Sequence, residues 1–346
     1  MRRGLFFCYS TVCAMVVRIK DCPMADSLLK NQTVLVTGAS GLIGSNLAKR
    51  LVEAGAVVRA TFNRTEPKDR AAGASYVQAD LARPEECKKA LEGVIYVFHC
   101  AAYTPGAGAT ARDPLQSVTS NIAIDANVFD AAYRAGVRKL VWLGSTTAYP
   151  PTGQRPVREE EMFSGDPFEK YFFVGWSKRI TEVLARMYGE KLAKPMTTIV
   201  LRLSYVYGPG DNFDPAVSHV IPALIRKVVE RQDPLEVWGT GEDVRDPIFV
   251  DDVVDAMLLA AEKIDRYDVF NIGLGKGYRV KDMLDKILEL DGFTGARIQF
   301  NASKPSMIPV RLVDVSKAER LLGFRAKTDL DEGLQKTIDW YRARSG

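Results

Sequence analysis

The segment Val34–Gly44, reading VLVTGASGLIG, limits what this chain can fold into more than any other stretch. A short apolar run ends in Thr37, and glycines follow at three-residue spacing (Gly38, Gly41, Gly44). An apolar helical pattern starts at once, with Leu42, Ile43, Leu47, Leu51 and Val52. In a strand–turn–helix unit the first glycine allows a sharp turn and the second lets a phosphate approach. The third brings the helix close to the strand. The helix N-terminus offers free N–H groups and a positive dipole end to a pyrophosphate. The stretch therefore predicts a dinucleotide site at Gly38, Ser40, Gly41, Leu42, Ile43 and Gly44.

Further strand and helix patterns alternate along the chain. Ala56–Phe62 reads as a second strand, ending at Asn63 and Arg64. An acidic residue at this strand's end usually holds a cofactor lacking the 2′-phosphate, and none is present here. Arg64 with Asn63 is placed instead to pair with a 2′-phosphate, which favours NADP(H) over NAD(H); the alternative is an arginine facing solvent. Tyr76–Leu81 reads as a third strand that brings Asp80 and Leu81 toward an adenine. A proline-opened helix over 84–91 follows, then a fourth strand over Val94–His99 that runs into small residues, with Ala101 near the nicotinamide ribose. His99 reads as a packed residue rather than a catalytic one. Residues 115–135 form a long amphipathic helix bearing Asn121 and Asn127, and Lys139–Ser145 is a fifth strand delivering Ser145 to its carboxyl end. A proline-rich loop over 150–167 leads to a helix starting near Val174, and Thr197–Leu203 is a sixth strand. The alternation predicts an α/β fold, a doubly wound parallel Rossmann sheet.

From Gly208 the composition changes to loop chemistry (GPGDNFDP) and shorter mixed segments. The expected division is an N-terminal extension over 1–30 and a dinucleotide-binding domain over 31–208 and 244–274. A smaller mixed α/β substrate domain would take 209–243 and 275–346.

Composition narrows the class. Hydrophobic residues make up 47% and charged residues 26%, and the apolar runs are too short to span a bilayer. The formal net charge is +4, of which residues 1–30 carry +3 (Arg2, Arg3, Arg18, Lys20 and Lys30 against Asp21 and Asp26). The basic balance is thus a tail effect and gives no argument for nucleic acid or a membrane as partner. Cys8, Cys13 and Cys22 lie in the tail; Cys87 and Cys100 in the body allow one bridge at most and no metal-ligand spacing. A reducing, cytoplasmic location is expected, with no metal site. The tail reads as a disordered extension or as sequence preceding a start at Met24, with a targeting leader as a further alternative.

Several stretches together resemble the extended short-chain dehydrogenase/reductase family that acts on nucleotide-sugars, over about residues 31–343. They are Thr37–Gly44, Gly144–Pro150 (GSTTAYP), Tyr207–Pro209, Arg245 before Phe249–Asp252, and Asn271–Gly273. Gly208–Lys227, Val237–Gly241 and Val315–Lys317 are similar to the branch of GDP-4-keto-6-deoxymannose epimerase/reductases, the GDP-fucose synthases. The resemblance implies a nucleotide-diphosphate sugar as substrate and a homodimer formed through the helices at 115–135 and after Val174.

By this resemblance Ser145 is the hydroxyl that bonds the reacting sugar oxygen, and Lys178 is the lysine that holds the nicotinamide ribose and lowers the pKa of a partner tyrosine. The tyrosine's position, four residues earlier, is Val174, which carries no proton; Tyr171, Tyr149, Tyr103, Tyr205 or a lysine-bound water are the substitutes to consider. The branch's cysteine position is Thr147, and its histidine position is His219, an acid/base or sugar-binding group. Thr146 and Thr147 stand where 4,6-dehydratases carry Asp-Glu, which argues against that reaction. Asn212 falls in the substrate loop and Arg245 on the diphosphate clamp, while a second basic contact is displaced, Val310 being followed by Arg311. The implied activity is epimerisation or reduction of an NDP-linked hexose, with GDP as the nucleotide the branch implies. The alternatives are an isomerase or dehydratase that does without the tyrosine, and a catalytically silent dinucleotide-binding protein.

Overall fold

A computed structural model describes residues 28–104, 113–304 and 308–345; the expected extension lies almost wholly outside them. Seven strands form one sheet: β1 (Thr33–Thr37), β2 (Val57–Phe62), β3 (Ser75–Gln78), β4 (Tyr96–His99), β5 (Lys139–Ser145), β6 (Thr197–Leu203) and, later in the chain, Asp268–Ile272. Taken across the sheet, the last of these comes first, followed by β6, β5, β4, β1, β2 and β3. Every pairing is parallel. The order reverses between β1 and β4, so connections leave to opposite sides there and open a crevice at the carboxyl edge.

Both sheet faces are covered, which is why the strands read as apolar runs rather than as alternating ones. On one face Val34 and Val36 of β1 pack with α1 (Leu42–Glu53). On the other, Leu35, Leu140 and Trp142 pack against Val128 and Phe129 of a long helix and Ala185 of another. The proline-opened helix is α2 (Pro84–Ala90), the long one is α3 (Pro114–Arg134), and α4 (Phe172–Arg186) runs beside it.

After β6 come short elements: β7 (Tyr205–Tyr207), α5 (Val220–Val229), β8 (Leu235–Trp238), β9 (Val244–Arg245) and β10 (Pro247–Phe249). Helix α6 (Val250–Lys263) and β11 (Asp268–Ile272) return to the large sheet. β12 (Tyr278–Arg279), α7 (Val280–Asp291), β13 (Ile298–Asn301), β14 (Val310–Arg311), α8 (Ser316–Leu322) and α9 (Leu330–Ser345) complete the described chain. Ile221, Leu224, Ile225, Val237, Met283, Leu284, Leu334 and Ile338 form a separate core among α5, α7, α9 and β8.

Three element boundaries near the site bear on its residues, and the first two depart from the sequence expectation. β3 ends at Gln78, because Ala79 N–H bonds Phe62 O and Asp80 O accepts Arg83 N–H in a turn; Asp80 and Leu81 thus lie in the loop after the strand. Helix α4 begins at Phe172, two residues before Val174. Helix α5 begins at Val220, since Val217 and Ser218 bond back to Asp214 O in a turn.

Candidate active site

At the glycine turn, Gly38 has φ +67°, and a Cβ there would lie 2.7 Å from Ala101 Cα and 2.8 Å from Ala101 N. The turn is therefore wedged against the chain leaving β4. A Cβ on Gly44 would run into the Gly38 carbonyl, so this glycine serves helix packing. Gly41 differs: its Cβ would meet only Gly38 O, at 3.4 Å. Protein packing does not demand a glycine at 41, and the space above it is open. Gly41 is also the N-cap of α1 and no side chain caps it, which leaves first-turn N–H groups for an anion. These features fit a dinucleotide pyrophosphate.

Beneath the turn, Thr37 Oγ1 accepts the N–H groups of Cys100 and Ala101, each at 3.0 Å. With two donors received, its own proton points to His99 Nδ1 at 2.7 Å, and the ring carries its proton on Nε2. That nitrogen is 3.1 Å from Asp125 Oδ1 of α3. His99 is a packed residue in a buried network, as its position at a strand end suggested.

At the ends of β2 and β3, Asn63, Gln78, Asp80, Arg83 and Glu86 line a cavity of about 360 Å³. Gln78 Nε2 donates to Asn63 O (2.9 Å), and Asp80 N–H to Glu86 Oε2 (2.5 Å). Asn127 of α3 holds the adjoining loop by donating to Leu81 O and Ala82 O. Leu81 itself packs in the core, while Arg64 is exposed. Arg83, which sequence reasoning did not single out, lies loosely 3.6 Å from Asp80 and 3.8 Å from Glu86, its side chain 73% exposed.

At the carboxyl end of β5, Ser145 caps the one-turn helix Thr146–Ala148 and accepts Thr147 N–H at 3.2 Å. Its Oγ is 2.9 Å from Thr147 Oγ1, so these two predicted residues share one hydroxyl pair. Helix α4 reaches this turn because residue 175 is glycine: a Cβ there would lie 2.6 Å from Pro167 Cβ and 3.0 Å from Thr147 O. That approach brings Lys178 to β5, where Nζ donates to Leu143 O at 3.2 Å and sits 4.7 Å from the Trp142 ring centroid. Burial pushes the Lys178 ammonium below the ordinary lysine range, and Asp125 opposes that shift. Val174, half-buried, stands one turn before it.

Two of the candidate tyrosines have hydroxyls engaged elsewhere. Tyr149 donates to Asn271 Oδ1 at 2.6 Å and receives Arg202, itself paired with Glu182 in the interior. The Tyr205 hydroxyl accepts Ile221 N–H at 3.2 Å, at the start of α5. Tyr171 precedes α4, and the charges acting on its phenol are those of Arg245, Arg311 and Asp243. Tyr103 is held by its backbone, bonded both ways to Asn121 (2.7 and 3.0 Å).

The substrate-side residues come from the short elements. Asn46 Nδ2 of α1 donates to Pro209 O at 3.1 Å, which ties the 208–215 loop to the glycine-turn helix. Within that loop Asn212 Oδ1 accepts Asp214 N–H (3.0 Å), a local turn contact. Asp211 was not singled out from sequence; its Oδ2 is buried without a partner, and burial pushes its carboxyl up to about 7. His219 is the N-cap of α5, its ring 6.1 Å from that of Tyr205. Solvent reaches this imidazole, yet crowding by protein atoms holds its pKa below the ordinary histidine value. Arg245 of β9 donates to Asp243 Oδ2 at 3.0 Å and pairs in register with Arg311 of β14. Arg311 is buried and clamps Tyr149 O and Pro150 O, each at 3.0 Å; burial lowers its pKa to about 10. Among the described residues no cluster of His, Cys, Asp or Glu is arranged to hold a metal ion.

The model of the NAD dependent epimerase/dehydratase family matches residues 34–273, the span from the glycine turn to the end of β11. The chain belongs to this family. Over 324 residues it is 32% identical to a probable GDP-L-fucose synthase 1 of Oryza sativa subsp. japonica, covering 90% of this chain and 92% of that protein. The UDP-glucose 4-epimerase of Thermotoga maritima, solved with UDP-glucose, superposes with a TM-score of 0.82 at 27% identity, covering 91% of this chain and all of that one. A GDP-6-OMe-4-keto-L-xylo-heptose reductase from C. jejuni superposes with a TM-score of 0.77 at 26% identity, over 91% and 98% of the two chains. The family is enzymatic and NAD(P)-dependent, and its doubly wound sheet is the one described above. No helix among the described residues is long and apolar enough to cross a membrane.

Proposed function

We propose that this chain is an NAD(P)-dependent epimerase/reductase acting on a GDP-linked 4-keto-hexose. The observation that carries the reading is that Lys178 reaches Leu143 O at the carboxyl end of β5, two residues before Ser145, in a chain whose 208–215 loop is tied to the glycine-turn helix. A bound nicotinamide supplies or accepts the hydride at the sugar carbon. Gly38, Ser40, Gly41, Leu42, Ile43 and Gly44 hold its pyrophosphate, Asp80 and Leu81 flank the adenine, and Ala101 and Lys178 flank the ribose. Ser145, bonded to Thr147, donates to the reacting oxygen, and His219 moves protons or binds the sugar. Arg245 and Asn212 lie on the nucleotide side, where the neighbouring arginine favours a diphosphate once Asp243 releases Arg245. Asn63, which shares its cavity with Arg83, and the exposed Arg64 favour NADP(H), and we place the enzyme in a reducing, cytoplasmic setting.

Incubation with GDP-4-keto-6-deoxymannose and NADPH tests the reading. NADPH consumption with a GDP-6-deoxyhexose product is expected; absence of both product and binding overturns it.

Val174 favours a second reading, an isomerase or dehydratase that bypasses the phenol, because its side chain cannot carry a proton. A rise in reductase activity of orders of magnitude in Val174→Tyr would support this alternative. A homodimer is supported by the apolar outer face of α4, where Phe172, Phe173, Ile180 and Val183 are exposed, and by exposed Leu115 on α3. Light scattering that returns a monomer overturns the dimer.

A further inference from the structure

The charge of Lys178 needs an explanation that its immediate contacts do not supply. One carbonyl at 3.2 Å and one indole face do not replace the hydration of an ammonium hemmed in by protein. Behind the indole lies Asp125 of α3, 3% exposed. Its Oδ1 is 3.3 Å from Trp142 Nε1 on β5 and 3.1 Å from His99 Nε2 on β4. Its Oδ2 accepts Thr181 Oγ1 at 2.7 Å, from the turn of α4 that follows Lys178. Among the described residues His99 is the only basic side chain within 4.0 Å of this carboxylate, and its ring is neutral in the tautomer given above. One tryptophan therefore has a cation over its face and points its N–H toward an anion. A carboxylate at the indole N–H enriches the ring in electron density and strengthens its hold on the cation.

We propose that Asp125 is the buried counter-charge of Lys178, a positioning residue that keeps it an ammonium through Trp142 and across the interior. The proposal rests on the role given to Lys178 above. Burial pushes the Asp125 carboxyl up, but the His99 contact, the charge of Lys178 and the Thr181 hydroxyl outweigh it and keep it ionised. The other groups facing the pair are accounted for: Thr37 bonds His99 from β1, and Glu182, further along α4, is engaged by Arg202 of β6.

The test is NMR titration of Lys178 Nζ in the full chain labelled with [ζ-15N]lysine, the resonance being assigned by its loss in Lys178→Arg. In Asp125→Asn the titration is expected to move down by at least one pH unit. Asp125→Glu, which keeps the charge, is expected to restore most of that shift. A merely structural Asp125 would lower stability without moving the resonance, and an unmoved resonance in Asp125→Asn overturns the proposal. Should Asp125→Asn fail to fold, Trp142→Phe keeps the ring and cuts the link. A smaller shift in the same direction is then expected, and no shift overturns the proposal. The titration needs no sugar substrate, so the two readings fail separately: turnover with an unmoved Lys178 refutes only the counter-charge, and a moved Lys178 without turnover refutes only the substrate assignment.

Discussion

Gly38 and Gly41 stand three residues apart in one turn, and the structure assigns them different work. At Gly38 an added Cβ meets Ala101 backbone at 2.7 Å in a left-handed conformation. Gly38→Ala should cost about 1–2 kcal/mol for the conformation and about 1–3 kcal/mol for the forced backbone shift. The sum, about 2–5 kcal/mol, corresponds to a fall in melting temperature of roughly 3–7 °C for a chain of this length. Gly41 has φ −89° and nothing nearer than Gly38 O at 3.4 Å. Gly41→Ala should therefore change stability by no more than about 1 kcal/mol, the gain through the unfolded chain being offset by alanine's poorer fit at the N-cap of α1. Its methyl group, however, fills the space a pyrophosphate needs, and NADPH affinity should fall at least about tenfold, or 1.4 kcal/mol. Melting curves and NADPH fluorescence titration of the two variants decide the matter. A Gly41→Ala protein that melts like the parent and binds NADPH equally well would refute the assignment of this turn to a phosphate.

Other outcomes follow from the same geometry. Glu182→Gln leaves Arg202 without its buried partner and should lower stability by about 3–5 kcal/mol in urea unfolding. Asp211 has a folded-state pKa raised to about 7 from 3.8, so the folded chain binds more protons than the unfolded one between those values, and stability falls as pH rises through that window. Asp211→Asn should remove that slope, melting higher than the parent at pH 8, by an amount on the order of 1–2 kcal/mol, and no higher at pH 3. His219→Ala should lower kcat about 10²–10⁴-fold in the reductase assay if the imidazole carries a proton. The acid limb of the parent, expected below the ordinary histidine value, should vanish with it.

The large sheet was legible because a parallel strand covered on both faces must be apolar along its length, as Val34–Val36 and Leu140–Trp142 are. The glycine turn was legible because its spacing is a backbone requirement. The two- and three-residue strands β7, β9, β10, β12 and β14 were not, since so few residues carry no periodicity. Ser145 and Lys178 were found by resemblance, and Lys178 reaches β5 at Leu143 O, two residues before Ser145. The surroundings that tune them were hidden: Asp125 reads as one more polar residue of an amphipathic helix until α3 packs against β4, β5 and α4. Tyr171 was close enough in sequence to be weighed as a replacement acid, and the charges that act on its phenol, Arg245, Arg311 and Asp243, belong to residues far along the chain.

The most direct test of the account follows one atom. NADPH carrying deuterium at C4 of the nicotinamide should deliver it to C4 of a GDP-4-keto-6-deoxyhexose. The product GDP-sugar would then be one mass unit heavier, with the label on the carbon that bears the new hydroxyl. No label on the sugar, together with no binding of the nucleotide-sugar to the purified chain, would contradict the proposed function.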